Sequence, residues 1–457
     1  MSYERYHDAV DYLQRRLWHE LPIVPVERAL QARIRHVLAQ FGDPHTRMPV
    51  VHVGGSAGKG STATMVASIL QAAGLRTGLY TSPHLQTFIE RIAVDGRLIG
   101  PDDFAEMVLG LDPLVRQMHL DVLDGVGYGR PSLVEVAFAA GLRHFAAERC
   151  DAAVVEVGLG GRTDCTNVFD EKRVTVLTNV EFEHRERLGW TLASIAREKA
   201  ALIRGREIVV AGALKREAAA VVEARCAETG STLWRLGREV RIVRRGATFD
   251  VRTPRGLVRE LRVSLAGAHQ VTNAALAVAA TMAFDRDRGD VREDAIRCGL
   301  ASVRLSGRLE RMQDAPRVLL DSAHNPVEAQ HLARALRDEM LAAGGRLHIV
   351  CGILADKDQA PMVRALASVA TRVTVTQPPL IERAGDPGTM LALFRKALGG
   401  DAVDFEADPR RAIDAAIARA APDDVVCVTG SMFLIGAVRA RWVAEDQILT
   451  TRSAAMV

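Results

Sequence analysis

Nine consecutive residues, Gly54-Gly-Ser-Ala-Gly-Lys-Gly-Ser-Thr62, carry the densest chemistry in this chain. Glycines let successive backbone N–H groups point into one concavity, and Lys59 adds a point charge at its end. Such a loop cradles a phosphate, and a helix starting behind it adds its positive end. The spacing departs from the strict GxxxxGK[ST] pattern, because Val53 stands five before Gly58 and Gly60 separates Lys59 from Ser61. Gly55, Ser56, Gly58, Lys59, Gly60, Ser61 and Thr62 are the candidate nucleotide contacts. The plain alternative is a glycine-rich structural turn.

Lysine usage adds a second signal. The chain has 53 Arg but only six Lys: Lys59, Lys172, Lys199, Lys215, Lys357 and Lys396. A compact amine does chemistry that a planar guanidinium cannot, so each retained lysine is informative. Glu135 sits inside an otherwise apolar stretch, Ser132–Ala140. A carboxylate there is costly unless it is paired or metal-bound. His184 closes the polar run Thr178–His184, and Asp321 and His324 follow the apolar run Arg317–Leu320. Each has a structural reading too: an edge glutamate facing solvent, an exposed helix lysine at 199, an Asp cap and a packed His.

The elements that must position these groups alternate. Met48–Val53, Asp151–Val157, Arg173–Asn179 and Glu207–Ala211 are short apolar runs, which fits a parallel sheet covered on both faces. Helical periodicity marks two helices within residues 4–41, broken around Leu21–Pro25, and others at Met65–Ala73, Leu133–Phe145 and Ala274–Phe284. Residues 238–265 change to short alternation with turns at Arg245-Gly246 and Pro254–Gly256, which predicts a small β-meander. A second series of strands, Arg317–Asp321, Arg346–Gly352, Arg372–Thr376 and Asp424–Thr429, predicts an independent doubly wound, Rossmann-like domain. The expected division is 1–304 and 305–457, with the tail after Gln447 frayed.

Composition excludes several classes. With 48% hydrophobic and 25% charged residues the chain is an ordinary globular sequence. A formal charge of +3 argues against a dedicated nucleic-acid binder. The six Cys are scattered with no CxxC, which suits reduced thiols. No signal peptide or membrane span is read, so a cytoplasmic monomer with small-molecule partners is expected.

His52-Val-Gly-Gly-Ser-Ala-Gly-Lys-Gly-Ser-Thr62 resembles the loop of the folylpolyglutamate synthase/dihydrofolate synthase family, a branch of the Mur ligase superfamily. Further motifs fall in that family's order: Thr81–Leu85, Glu90–Gly96, Glu156–Asn167, Thr178–His184, Glu198–Ala200, Gly267–Gln270 with Asn273, Gly307–Glu310, Asp321–Pro326, Ala355–Asp358 and Thr429–Ser431. The family usually has Thr-Asn at Ser56-Ala57, Gly at Glu181, Asp at Glu183 and Gly at Ala201. The resemblance implies ATP-driven ligation of glutamate to a folate carboxylate through an acyl phosphate, with dihydropteroate as a further acceptor. It implies ATP, two Mg²⁺ ions and a lysine at Lys199 carbamylated by CO₂. By the same resemblance Ser82 and Glu135 would hold one ion, and His184, Glu135 and modified Lys199 the other. Asn273 would meet adenine, Arg308 a phosphate and Asp321 the ribose. Ser82, Pro83 and His84 would lie near the pterin, and His324 and Ser431 near the substrates; Lys59, Lys199, His184, Arg308 and His324 form the catalytic set. Another Mur-type amino-acid ligase and a non-catalytic nucleotide-binding regulator are the competing readings; only about 50 residues before the loop argue against the first, since a further domain needs about 100.

Overall fold

The computed structural model describes residues 3–15, 30–123, 127–287, 289–340, 345–379 and 384–454. The chain divides into two compact units, residues 1–83, 88–264 and 272–303 in one and residues 84–87, 265–271 and 304–457 in the other.

The first unit is built on eight strands: β1 (Val50–Gly54), β2 (Thr77–Tyr80), β3 (Ile92–Val94), β4 (Arg97–Leu98), β5 (Ala152–Glu156), β6 (Val174–Leu177), β7 (Ile208–Ala211) and β8 (Thr232–Arg235). Their order is β4-β3-β2-β5-β1-β6-β7-β8. The six strands from β2 to β8 in that order run parallel, while β3 and β4 form an antiparallel edge. β1, β5, β6 and β7 are buried throughout, as their uninterrupted apolar runs require. β2, β3, β4 and β8 escaped the sequence reading because they are two to four residues long and carry little pattern.

A separate antiparallel sheet follows: β9 (Arg241–Arg245), β10 (Thr248–Thr253) and β11 (Gly256–Leu261), in the order β11-β10-β9. It is the meander that the turn residues marked.

The second unit holds β12 (Glu310–Asp314), β13 (Arg317–Leu320), β14 (Leu347–Cys351), β15 (Arg372–Val375), β16 (Val403–Phe405) and β17 (Val425–Thr429), ordered β12-β13-β17-β14-β15-β16. All pairings are parallel except β12 with β13. Leu319, Ile349, Val373 and Cys427 pack with Leu332, Met362 and Phe394 from the intervening helices. The fold class is thus the α/β class read from the sequence.

One expectation is corrected here. The tail is not frayed at Gln447: Glu445–Thr451 is helical, and the Ala454 carbonyl accepts from the buried Arg439 guanidinium. That arginine also takes Glu310 in a two-pronged pair at 2.8–3.1 Å, which anchors the segment. The predicted break at Leu21–Pro25 lies outside the described residues. Among the described residues no helix is long and apolar enough to cross a membrane.

Candidate active site

In the first unit, β1 ends at Gly54 and the helix Lys59–Ala72 begins after four intervening residues. Gly58 has φ +77°, and a Cβ there would stand 2.5 Å from Asn273 Oδ1. At Gly55, φ +141°, a Cβ would stand 1.9 Å from Thr178 Oγ1. Only glycine fits both positions, so the backbone closes tightly before the helix starts. The segment after β6 fixes the loop. The amides of Ser56 and Ala57 donate to Asn179 Oδ1 at 3.0 and 2.8 Å, and Thr178 Oγ1 donates to the Ala57 carbonyl at 2.7 Å. Ser56 Oγ and the Glu181 backbone exchange two more bonds, at 3.0 and 3.3 Å. A loop so braced, opening a 14-residue helix, presents the helix's positive end to an anion.

Lys199 lies behind it. The helix Leu192–Ala200 starts with a capping box between Thr191 and Ser194, and carries Lys199 in its last turn at 1% exposure. Its Nζ donates to Glu183 Oε1 at 2.6 Å and to the Gly55 carbonyl at 2.9 Å. Burial lowers the amine's pKa; Glu183 pulls it up and Lys59 pushes it down again. Glu183 in turn is held below its usual range: burial opposes this, but Lys199, Lys59 and His184 prevail. His184, with φ +41°, directly precedes the short helix Arg185–Leu188. Lys59, Glu183, His184 and Lys199 thus share one electrostatic neighbourhood beneath the loop.

Glu156 completes this side, and the sequence reading passed over it as a ligand. It ends β5, in register with Val53 on β1. Its Oε2 accepts the Ser82 amide at 3.0 Å, and both carboxylate oxygens lie 3.5 Å from where a Cβ on Gly60 would be. The available signal was a carboxylate closing an apolar strand next to the loop strand, at the carboxyl end where open α/β sheets bind ligands.

Glu135 is the correction that accompanies it. It is 2% exposed, and both its oxygens receive Arg33 Nε at 2.9 and 3.1 Å, with Nη2 at 2.9 Å. Oε2 also accepts from the Ser132 amide and hydroxyl, at 2.8 Å each, in a capping box that starts the helix Leu133–Ala147. Its charge is balanced by a guanidinium and Oε2 is fully engaged, which makes Glu135 a structural anchor of the helix start in this ligand-free arrangement.

The second unit gathers a different set. Asp321 follows β13 and accepts the amides of Leu309 and Ala323, both at 3.0 Å. Burial pushes its carboxyl up to about 6, against the pull of Arg308 and the two amides. His324 Nδ1 lies 3.0 Å from the Ser322 carbonyl and 3.2 Å from Glu328 Oε2. The Gly430 amide donates to the Ala323 carbonyl at 3.1 Å, which sets Ser431, the cap of the helix Met432–Arg439, beside this group. β13 and β17 are sheet neighbours, so Asp321, His324 and Ser431 all emerge at carboxyl ends of adjacent strands. His84 belongs to this unit, Ser82, Pro83 and Asn273 to the first.

Among the described residues no group of three or more His, Cys, Asp or Glu side chains could hold a metal ion. Mg²⁺ needs no such cage, since it keeps water and takes one or two carboxylates plus phosphate oxygens. Glu156 with the Ser82 hydroxyl fits that modest demand; Glu135 does not.

Two family descriptions match the chain: Mur ligase middle domain over residues 131–281, and Mur ligase, glutamate ligase domain over residues 307–432. A probable bifunctional folylpolyglutamate synthase/dihydropteroate synthase of Haloferax volcanii is 35% identical over 96% of this chain, which spans about half (50%) of that protein. The dihydrofolate synthase/folylpolyglutamate synthase of Mycobacterium tuberculosis is 34% identical, over 96% of this chain and 94% of the relative. Crystal structures of the Mycobacterium tuberculosis folylpolyglutamate synthase complexed with ADP and AMPPCP superpose with a TM-score of 0.83 at 33% identity, covering 90% of this chain and 95% of that one. With its braced glycine loop, buried lysine and paired α/β units, the chain belongs to the folylpolyglutamate synthase/dihydrofolate synthase family of the Mur ligase superfamily.

Proposed function

We propose that this chain ligates L-glutamate to the γ-carboxylate of tetrahydrofolate or a folylpolyglutamate at the expense of ATP, and forms dihydrofolate from dihydropteroate as a second activity. The observation that carries the reading is the convergence of the Gly55–Thr62 loop, Glu156 and the Lys199–Glu183 pair at neighbouring strand ends of one sheet. The second activity rests on the double name of the Mycobacterium tuberculosis relative.

The chemistry has two steps. The acceptor carboxylate attacks the γ-phosphorus, ADP leaves, and an acyl phosphate forms. The glutamate amine then attacks the acyl carbon, loses a proton, and phosphate leaves. The first step is largely positioning and charge neutralisation. The loop amides, the helix start and Lys59 hold the phosphates, and Lys59 follows charge onto the transferring group. Glu156 and Ser82 would hold one Mg²⁺, which supplies charge neutralisation at the phosphate oxygens when bound. His184 and Lys199 would hold a second. As an ammonium paired to Glu183, Lys199 cannot ligate a cation. Carbamylation by CO₂ would turn it into an acid that can, and its lowered pKa favours the neutral amine that CO₂ needs. Asn273 takes adenine, Asp321 the ribose, Arg308 a phosphate, and His324 and Ser431 the incoming glutamate. Ser82, Pro83 and His84 face the pterin end. A cytoplasmic setting is in keeping with six unbridged cysteines, and a monomer is the state proposed.

The test is ADP release with each of dihydropteroate, tetrahydrofolate and its one-carbon forms, with and without glutamate. Glutamate-dependent turnover with at least one acceptor is expected. Nucleotide binding without any such turnover would return the chain to the class of regulators.

A further inference from the structure

Joining an amine to an acyl phosphate releases a proton, and that proton needs an acceptor beside the amine. The second unit holds one in the turn His324-Asn-Pro-Val-Glu328, where the chain enters the helix Pro326–Ala335. Asn325 caps that helix, its Oδ1 accepting the Glu328 amide at 3.0 Å. The Glu328 carboxylate, in the first turn, folds back onto the residue before the cap. Its Oε2 accepts the His324 amide at 3.1 Å and lies 3.2 Å from His324 Nδ1. Closing the helix start accounts for the first contact and not for the second.

The second contact sets the state of the ring. The two neighbours of Nδ1, the Ser322 carbonyl at 3.0 Å and Glu328 Oε2, are both acceptors. Nδ1 therefore carries the hydrogen, and in the neutral ring Nε2 keeps a bare lone pair. Such a nitrogen takes a proton from an amine and has none to offer a carboxylate. The His324 side chain is 32% exposed, so a substrate can reach it, while Glu328 behind it is 11% exposed.

The other charged groups nearby leave the pair intact. Asp321 is fixed by the amides of Leu309 and Ala323, and Arg308 acts on both Asp321 and His269. His269 stacks on His331, from the same helix as Glu328, with ring centroids 5.0 Å apart. Burial first, then His331 and Arg308, hold His269 down to about 4 against the pull of Glu328. It is neutral at neutral pH and does not compete with His324 for the carboxylate.

We infer that His324 Nε2 is the base that takes the amine proton of the incoming glutamate, and that Glu328 is the positioning residue that fixes the ring and balances the imidazolium it becomes. The inference deepens the ligase reading and rests on it. As the free amine bonds to the acyl carbon, one N–H proton passes to Nε2. The C–O bond to phosphate breaks, its electron pair leaving with the phosphate, and the imidazolium then gives its proton to water. A positioned base of this kind contributes about 10²–10⁴-fold in rate.

The experiment compares the wild-type full chain with Glu328→Gln, which keeps the shape and removes the charge. In a single turnover with ATP, Mg²⁺, tetrahydrofolate and glutamate, ADP reports the first step and the γ-glutamyl product the second. In Glu328→Gln, ADP should form at nearly the wild-type rate while product slows about 100-fold, with the steady-state KM for glutamate little changed. The same substitution in a His324→Gln background should do no further harm. Ring ¹⁵N spectra, assigned by the signal lost in His324→Gln, read the tautomer without turnover, and the wild type should show Nδ1–H with a bare Nε2. Unchanged product formation in Glu328→Gln would overturn the inference. So would ADP and product slowed together, a further loss in the double variant, or an Nε2–H tautomer in the wild type. If the wild type joins glutamate to no folate, the ligase reading fails by itself, while the spectra still decide the state of the ring.

Discussion

Glu135 and Glu156 are both almost fully buried, and both stand at the start or end of an element in the first unit. Their surroundings differ. Glu135 meets a guanidinium from the helix Leu30–Ala39 and caps its own helix, so its charge is cancelled within the fold. Glu156 receives a backbone amide and lies against the first turn behind the phosphate loop. Burial alone does not distinguish the two carboxylates; position does. Glu135 caps its own helix against Arg33, and Glu156 stands at a strand end against the first turn behind the glycine loop, where a metal could join carboxylate and phosphate.

Substitutions can break or sharpen this contrast. Glu156→Gln should lower kcat/KM by about 10³, of the order seen when one preorganised charge-stabilising group is lost, with an unchanged Tm and a raised Mg²⁺ requirement. Glu135→Ala should do the reverse. It leaves Arg33 buried without its carboxylate and should cost about 3–5 kcal/mol in urea unfolding, while the folded fraction keeps nearly normal turnover. If the two variants exchanged phenotypes, the assignment would have to be swapped.

Lys199→Arg keeps a positive charge but cannot form a carbamate at neutral pH, so activity should fall about 100-fold. Stripping CO₂ should slow the wild type and leave the variant untouched; equal sensitivity would dismiss carbamylation. The smallest effect is one of pH. Asp321 is raised to about 6, so it is ionised above that value and protonated below it. Nucleotide affinity should weaken several-fold between pH 7 and 5, as a single charged hydrogen bond to ribose is replaced by a neutral one. Asp321→Asn should flatten that profile. For stability the sign is opposite: a buried acid with a raised pKa favours the native state at low pH, and that contribution is lost as pH rises through about 6.

Much of this was legible in the sequence, and unevenly so. The loop could be read because its glycines and a rare lysine fall together between an apolar run and a helical one, a combination that phosphate binding requires and a plain turn does not. The parallel cores could be read because strands covered on both faces show unbroken apolar runs. The ion pair of Glu135 could not be read, because its partner, Arg33, is 102 positions away and leaves no local trace. Glu156 was missed because a strand-terminal carboxylate looks like a boundary until its neighbour, β1, is known. The helix Glu445–Thr451 was hidden for a similar reason, since its anchor depends on Arg439 and Glu310 far back in the chain.

The central claim is that the loop, Lys59 and Glu156 serve transfer of a phosphoryl group onto a folate carboxylate. Tetrahydrofolate labelled with oxygen-18 in its γ-carboxylate tests it in one turnover experiment with ATP, Mg²⁺ and glutamate. One labelled oxygen should appear in the released phosphate for each glutamate joined, with none in ADP. Product formed with unlabelled phosphate would contradict the account.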